Sequence, residues 1–179
     1  MEKKKQKWVT DYRALRKKVD DIASSLSRQH AAHLMCKKGC DLCCMDYSIL
    51  PVEFYFILDE LKSGGFKTEN LILTDKDTGD CIFLKDHACA IYESRPLICR
   101  THGLPLLYTN NDGEWELSTC ELNFTNFDID DFSEKNTYPQ DTFNSKLFLL
   151  NREFIAGYEG EENYGEFDLL PLKKLAKKL

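Results

Sequence analysis

Four cysteines fall within nine residues, in Cys36-Lys-Lys-Gly-Cys40-Asp-Leu-Cys43-Cys44, with the spacing C-x3-C-x2-C-C. Four more follow at Cys81, Cys89, Cys99 and Cys120, and no other feature of the chain concentrates chemistry in this way. Gathered thiolates repel one another, and a cation removes that cost. Burial as a small hydrophobe, common for free cysteine, accounts for one or two residues such as Cys81 or Cys120. It does not account for four in nine. The density therefore predicts metal ligation, with Cys36, Cys40, Cys43, Cys44, Cys81, Cys89, Cys99 and Cys120 as the candidate ligands.

Chain geometry limits how these thiols combine. Cys36, Cys40 and Cys43 lie close enough along a loop to converge, and Gly39 permits the positive φ that such a loop uses. Cys43 and Cys44 are adjacent, and neighbouring side chains diverge in helices and strands alike. One of the pair is expected to point to a second site or to the core. Eight thiols divide into two sets of four, yet a single four-thiolate site with spare or bridging cysteines fits the sequence equally well. In both cases ligands from distant segments would be clipped together, making metal binding part of folding. Four thiolates suit zinc and an iron–sulfur cluster alike, so spacing does not choose between them. Lys37, Lys38, Lys85, Arg95 and Arg100 can offset thiolate charge. The lysines read equally well as surface charge, whereas Arg95 and Arg100 flank Pro96 and Cys99 and are expected to act from behind the ligands.

At 179 residues the chain suits one domain with a real core. Its net charge of −6 and pI near 5.3 give no electrostatic footprint for phosphate backbones, so no nucleic-acid partner is expected. The first residues are charged and lack an apolar signal core, and no apolar run reaches the ~18–20 residues that span a bilayer. A cytoplasmic chain without a transmembrane segment is expected. A reducing compartment disfavours structural disulfides, which again favours metal.

Trp8, Tyr12, Leu15, Val19, Ile22 and Leu26 step by four and three, which predicts a helix over residues 7–35. His30 and His33 continue that stripe towards Cys36 and are read as half-exposed helix-end residues in preference to ligands. Pro51 suits the first turn of a core helix over 51–62, ended by Ser63-Gly64-Gly65. Leu71-Ile72-Leu73, Cys81-Ile82-Phe83-Leu84 and Cys89-Ala90-Ile91-Tyr92 read as short strands, with a break at Asp77-Thr78-Gly79-Asp80. A brief helix over 97–101 stops at Gly103, and 104–117 forms a hairpin around Asn110-Asn111-Asp112-Gly113. Asp128-Ile-Asp-Asp131 lacks the glycine and glutamate of an EF-hand loop, which is rejected. Asp141 is expected to cap a helix that buries Phe143, Leu147, Leu150 and Phe154 and ends at Gly157. After a polar linker over 159–166, Leu172, Leu175, Ala176 and Leu179 form a short amphipathic tail that docks on its own domain or frays.

Three segments in order carry a family resemblance: the cysteine loop, then Gly79-Asp-Cys-Ile-Phe-Leu84, then Cys89-Ala-Ile-Tyr-Glu-Ser-Arg-Pro-Leu-Ile-Cys-Arg100. Together they resemble the CxxCxxCC family of zinc- or iron-chelating proteins, also called the YkgJ family. The resemblance covers residues 36–102 and Cys120, and the Cys-x-Ile-Tyr-x-x-Arg-Pro-x-x-Cys-Arg segment is its most specific part. It implies that about eight cysteines hold metal, and all eight positions match here. The first gap holds three residues where the family's name has two, which sets Cys36 apart. A similar cysteine-rich module occurs in the larger flagellin lysine methylases, which are associated with an iron–sulfur cluster. Cys36, Cys40 and Cys43 also match the loop of radical S-adenosylmethionine enzymes, but those place it after the first strand of a βα barrel. Here it follows a helix without βα alternation, and that fold is rejected.

These readings predict a small α+β domain nucleated by metal. It has a long N-terminal helix (1–35), a cysteine-cluster domain with a core helix and short β-hairpins around the site (36–120), and a C-terminal helical segment packed on the same domain (121–179). The expected function is metal binding, through zinc or an iron–sulfur cluster, and a protein partner is compatible with it. The alternative is an iron–sulfur-dependent enzyme or electron-transfer protein acting in protein modification, with His87, His102 and Tyr92 as acid–base candidates that are more readily structural. No phosphate loop, nucleophile elbow or His-Glu-x-x-His motif is present.

Overall fold

The computed structural model describes residues 2–71 and 79–179. Most of the expected strand Leu71-Ile72-Leu73 and half of the break before Cys81 lie on residues 72–78, outside the described residues. The architecture is mixed α and β: a long first helix, a central helix, small two- and three-stranded sheets, and helices after the cysteine region.

Helix α1 (Glu2–Gln29) buries Tyr12, Leu15, Val19, Ala23 and Leu26, so the predicted stripe is its packed face. Lys7–Asp11 and Lys17–Asp21 close ion pairs one turn apart on its surface. The helix ends at Gln29, short of the predicted residue 35, and His30 is buried where a half-exposed residue was expected. The cause is tertiary. His30 is ringed by Phe124, Phe127 and Phe132, with Nε2 2.7 Å from the Asn136 carbonyl, and the Phe124 amide then takes the His33 carbonyl at 2.9 Å. Those contacts turn the chain out of the helix towards the cysteine loop.

Helix α2 (Pro51–Ser63) is apolar nearly all round because two cores meet on it. Val52 and Phe56 pack with α1 and with helix α4 (Gln140–Ala156), while Phe54, Ile57, Leu58 and Leu61 pack with Phe83, Ile91, Leu170, Leu172 and Leu175. Pro51 supplies the first turn. The Val52 amide, left without an intrahelical acceptor, donates to Oδ1 of fully buried Asn151 on α4 at 3.1 Å. Asp141 does not cap α4 as expected. It lies inside the first turn and accepts the Thr109 amide at 2.7 Å, tying the helix to the sheet.

The strands are short. β1 (Ser48–Ile49) pairs antiparallel with β7 (Leu170–Pro171), which brings in α5 (Lys173–Lys178) and buries Leu172 and Leu175; the tail therefore docks on its own domain. β2 (Leu84–Lys85) and β3 (Ala88–Cys89) form a hairpin whose turn residues Asp86 and His87 both take positive φ, the geometry that matches strand twist. β4 (Leu106–Thr109) lies between antiparallel β5 (Trp115–Ser118) and parallel β6 (Tyr138–Pro139). Residues 81–84 turn where a strand was expected: the Leu84 amide bonds the Cys81 carbonyl at 2.9 Å, and amides of Phe83 and Leu84 face the Cys81 sulfur.

The core reaches the cysteine region through Glu53. This buried carboxylate accepts the Tyr12 hydroxyl at 2.6 Å and the Leu97 amide at 2.7 Å on the same oxygen, joining α1, α2 and α3 (Leu97–Thr101). Glu53→Leu strands both donors, and an unpaired buried donor costs ~1–3 kcal/mol, so a loss of about 2–5 kcal/mol is expected in urea unfolding. Glu53→Gln keeps the acceptor and should lose less. Equal stability of Glu53→Leu and the wild type would show that this anchor carries no load.

Candidate metal centre

The cysteine loop is two turns in series. The Cys40 amide bonds the Lys37 carbonyl at 3.0 Å, with Gly39 at φ +93°, and the Cys44 amide bonds the Asp41 carbonyl at 2.8 Å. The loop then runs antiparallel past residues 79–81. Met45 bridges Asp80, the Asp46 amide bonds the Gly79 carbonyl, and the Cys81 amide bonds the Cys44 carbonyl at 3.3 Å. Cys81 is thereby set beside Cys44. The β2–β3 hairpin carries Cys89, α3 carries Cys99, and Cys120 follows β5. All eight cysteines are free thiols.

Their electrostatics fall into two neighbourhoods. Burial pushes the Cys43 thiol up, and charge on Cys36, Cys40 and Cys120 adds to the rise. Cys44 is pushed up to about 12 by burial, then by Cys43, Cys81 and Cys89. Cys99 is driven well above the usual thiol range by burial, then by Cys81, Cys89, Glu53 and Cys44. Charge on Cys36, Cys40 and Cys120 thus acts on Cys43, whereas Cys44 feels Cys43 first and then Cys81 and Cys89, and acts in turn on Cys99. Tyr47 feels both groups: burial raises it to about 12, with charge on Cys43, Cys99 and Cys44 adding.

Backbone amides oppose part of this cost. Those of Phe83 and Leu84 hold Cys81 down against burial, and that of Ile91 does the same for Cys89, helped by the charge of Arg95. Arg95 also stacks over Tyr92, 3.8 Å from the ring centre. Arg100 turns elsewhere. Its guanidinium takes Asp20 on α1 at 2.7 and 2.9 Å and the carbonyls of Arg95 and Glu93, which fixes α3 against α1. His87 Nδ1 meets Asp41 at 2.8 Å, a contact between the hairpin turn and the cysteine loop. His102 packs its ring 5.1 Å from Tyr47, and burial, then Arg95, lowers its pKa, so the imidazole is neutral near pH 7.

Sequence reasoning missed Asn123. This buried amide accepts the Met35 amide at 2.8 Å and donates to the Gly103 carbonyl at 2.7 Å and the Cys36 sulfur at 3.4 Å. It joins the loop start, the end of α3 and the Cys120 segment at one point. Nothing in Leu-Asn-Phe marks it in the sequence. Gly103 is held there at φ +85°, where an added Cβ would lie 2.5 Å from the Cys36 sulfur.

Among the described residues, no three histidine, cysteine or acidic side chains are drawn together tightly enough to hold a metal ion as they stand. The donor chemistry nevertheless fits a thiophilic metal: sulfur groups within charge reach of one another, amides aimed at sulfur, and a glycine cradle that a side chain would fill. Residues 35–121 match the family model CxxCxxCC, described as a putative zinc- or iron-chelating domain. That segment, just under half of the chain, is similar to the CxxCxxCC family. The matched segment thus begins one residue before the first cysteine and ends one after the last. No curated protein and no solved structure matches the chain. Among the described residues, no helix is long and apolar enough to cross a membrane.

Gly103→Ala is expected to displace the Cys36 sulfur and lower the metal content of purified protein. Gly113→Ala, at φ +82° with open space around it, is the control that carries the backbone strain alone. Metal analysis of the two variants separates the effects; equal metal content would remove the cradle from the site.

Proposed function

We propose that the chain holds two metal centres, each on four thiolates. Cys36, Cys40, Cys43 and Cys120 form one set, and Cys44, Cys81, Cys89 and Cys99 form the other. The observation that supports this reading is that the Cys81 amide bonds the Cys44 carbonyl, which sets Cys81 beside Cys44, while charge on Cys36, Cys40 and Cys120 acts on Cys43. Zinc and an iron–sulfur cluster share this four-thiolate chemistry. When bound, zinc supplies structure and an iron–sulfur cluster adds one-electron chemistry. Arg95 offsets thiolate charge beside Cys89, and Arg100 holds α3 so that Cys99 keeps its place. Eight free thiols suit the reducing cytoplasm.

The chain around the thiols is mostly turns and two-residue strands, anchored to the core at Phe83, Ile91 and Leu97, whereas α1, α2 and α4 pack along whole helix faces. Metal would add order to the loops between these anchors. Stripping it with a chelator is expected to raise amide exchange over residues 36–47 and 79–103 by about tenfold or more while α1 and α4 stay protected. Uniform protection after metal removal would leave the centres without a folding role.

The iron–sulfur alternative, an electron-transfer or modifying enzyme, draws its support from the same adjacency, which sets two thiolate groups one peptide bond apart. Metal and acid-labile sulfide analysis of anaerobically purified protein tests both readings. Cys43→Ser and Cys44→Ser are each expected to remove metal from one centre and leave the other, and the double variant should lose both. Iron with matching sulfide selects the cluster, and zinc alone excludes the electron-transfer reading. Full metal content in the double variant would overturn the two-centre assignment.

A further inference from the structure

Away from the thiols, a cavity of about 410 Å³ opens beside the start of α2, lined also by α3, α4 and the segment around Phe167. It reaches from the surface to the core. Ile98, Phe167 and Leu169 line it and stay exposed, whereas Glu53, Thr101 and Tyr138 line it and are buried. Two stacked ring pairs belong to its lining: Tyr138 with Phe143, 5.1 Å between ring centres, and Phe148 with Phe167, 5.2 Å. Among the described residues, no lysine, arginine, histidine or cysteine lines it. One polar atom of the lining is unspent. Gln140, in the first turn of α4, donates Nε2 to Asn144 Oδ1 at 3.0 Å, which orients the amide. Its Oε1 is buried and takes no donor. Glu53 differs, because one of its oxygens already accepts the Tyr12 hydroxyl and the Leu97 amide. A buried acceptor left unpaired is destabilising, so Gln140 Oε1 calls for a cause.

We infer that this cavity is a binding site for a small, neutral aromatic molecule carrying one N–H or O–H donor, which bonds Gln140 Oε1. Each part of that description has its own ground. Size comes first: a dry cavity of about 150 Å³ already takes a benzene ring, and small-molecule sites run from about 300 to 1,000 Å³. The paired rings on the lining favour a flat ring that packs offset or edge-on against them. Neutrality follows from the missing countercharge. An acid entering here would be buried opposite Glu53 with no cation on the lining to receive it, which is costly. The donor follows from Gln140, since a wholly apolar ring would leave Oε1 unpaired. The site goes beyond the metal reading and does not depend on it.

Three probes of one shape test it. Indole carries an N–H donor, benzothiophene lacks one, and indole-3-carboxylate adds a negative charge. Each is titrated into the full-length protein as purified, following the methyl signals of Ile49, Leu97, Ile98 and Leu147 by NMR. Indole is expected to shift these signals saturably, and the carboxylate to bind at least about tenfold more weakly. Benzothiophene is the more apolar ring, so its affinity is read as a ratio to that of indole. Gln140→Leu is expected to move this ratio against indole by about 5–10-fold. Leu147→Trp is expected to fill the cavity and abolish binding of both rings, with thermal unfolding checking that each variant is folded. No saturable indole shift at these methyls overturns the inference in the wild type, before any variant is made. A ratio unchanged in Gln140→Leu, or a carboxylate bound as tightly as indole, overturns it as well. Metal content of the same samples is measured alongside, so a failed cavity and failed metal centres are told apart.

Discussion

The buried carboxylate of Glu53 is the joint on which the two halves of the molecule depend. One oxygen takes the hydroxyl of Tyr12 and the first amide of α3, so a helix of five residues, too short to hold itself, is pinned to the core. Arg100 adds a second tie from α3 to Asp20 on α1. Cys99 sits between these ties. The place of one thiol is therefore set by the packing of α1 and α2 through a few buried polar contacts. Removing either partner of such a contact leaves the other unpaired, which is why these positions are sensitive out of proportion to their size.

On the thiol side the balance is different. Burial raises the buried sulfurs and mutual charge raises Cys43, Cys44, Cys81 and Cys99 further, so these groups resist ionisation. Amides of Phe83, Leu84 and Ile91 and the charge of Arg95 lower that barrier without removing it. The helical core holds in place the segments that carry these sulfurs.

Much of this was legible in the chain. The stripe of α1, Pro51 at the start of α2 and the ordered cysteine segments each follow from local rules, and the family model covers the segment those cysteines span. The misreadings share a cause. Helix α1 stops at Gln29 because His30 is claimed by Phe124, Phe127 and Phe132, all distant in sequence. Residues 81–84 look like a strand by composition, yet their amides turn towards sulfur. Asp141 resembles a cap but serves β4. Asn123 joins three segments, and no local pattern could announce it.

The sequence by itself determined the helical stripes, the thiol inventory and a donor set soft enough for metal, because periodicity, proline position and sulfur softness act over a few residues. It also required Cys43 and Cys44 to diverge, since neighbouring side chains cannot share a direction. What it left open was the company each would keep. Only the tertiary structure decided that, by threading residues 79–81 along the loop so that Cys81 met Cys44, and by bringing Asn123 and Gly103 to Cys36. Those are contacts between segments tens of residues apart, fixed by core packing and buried hydrogen bonds, and no local spacing encodes them.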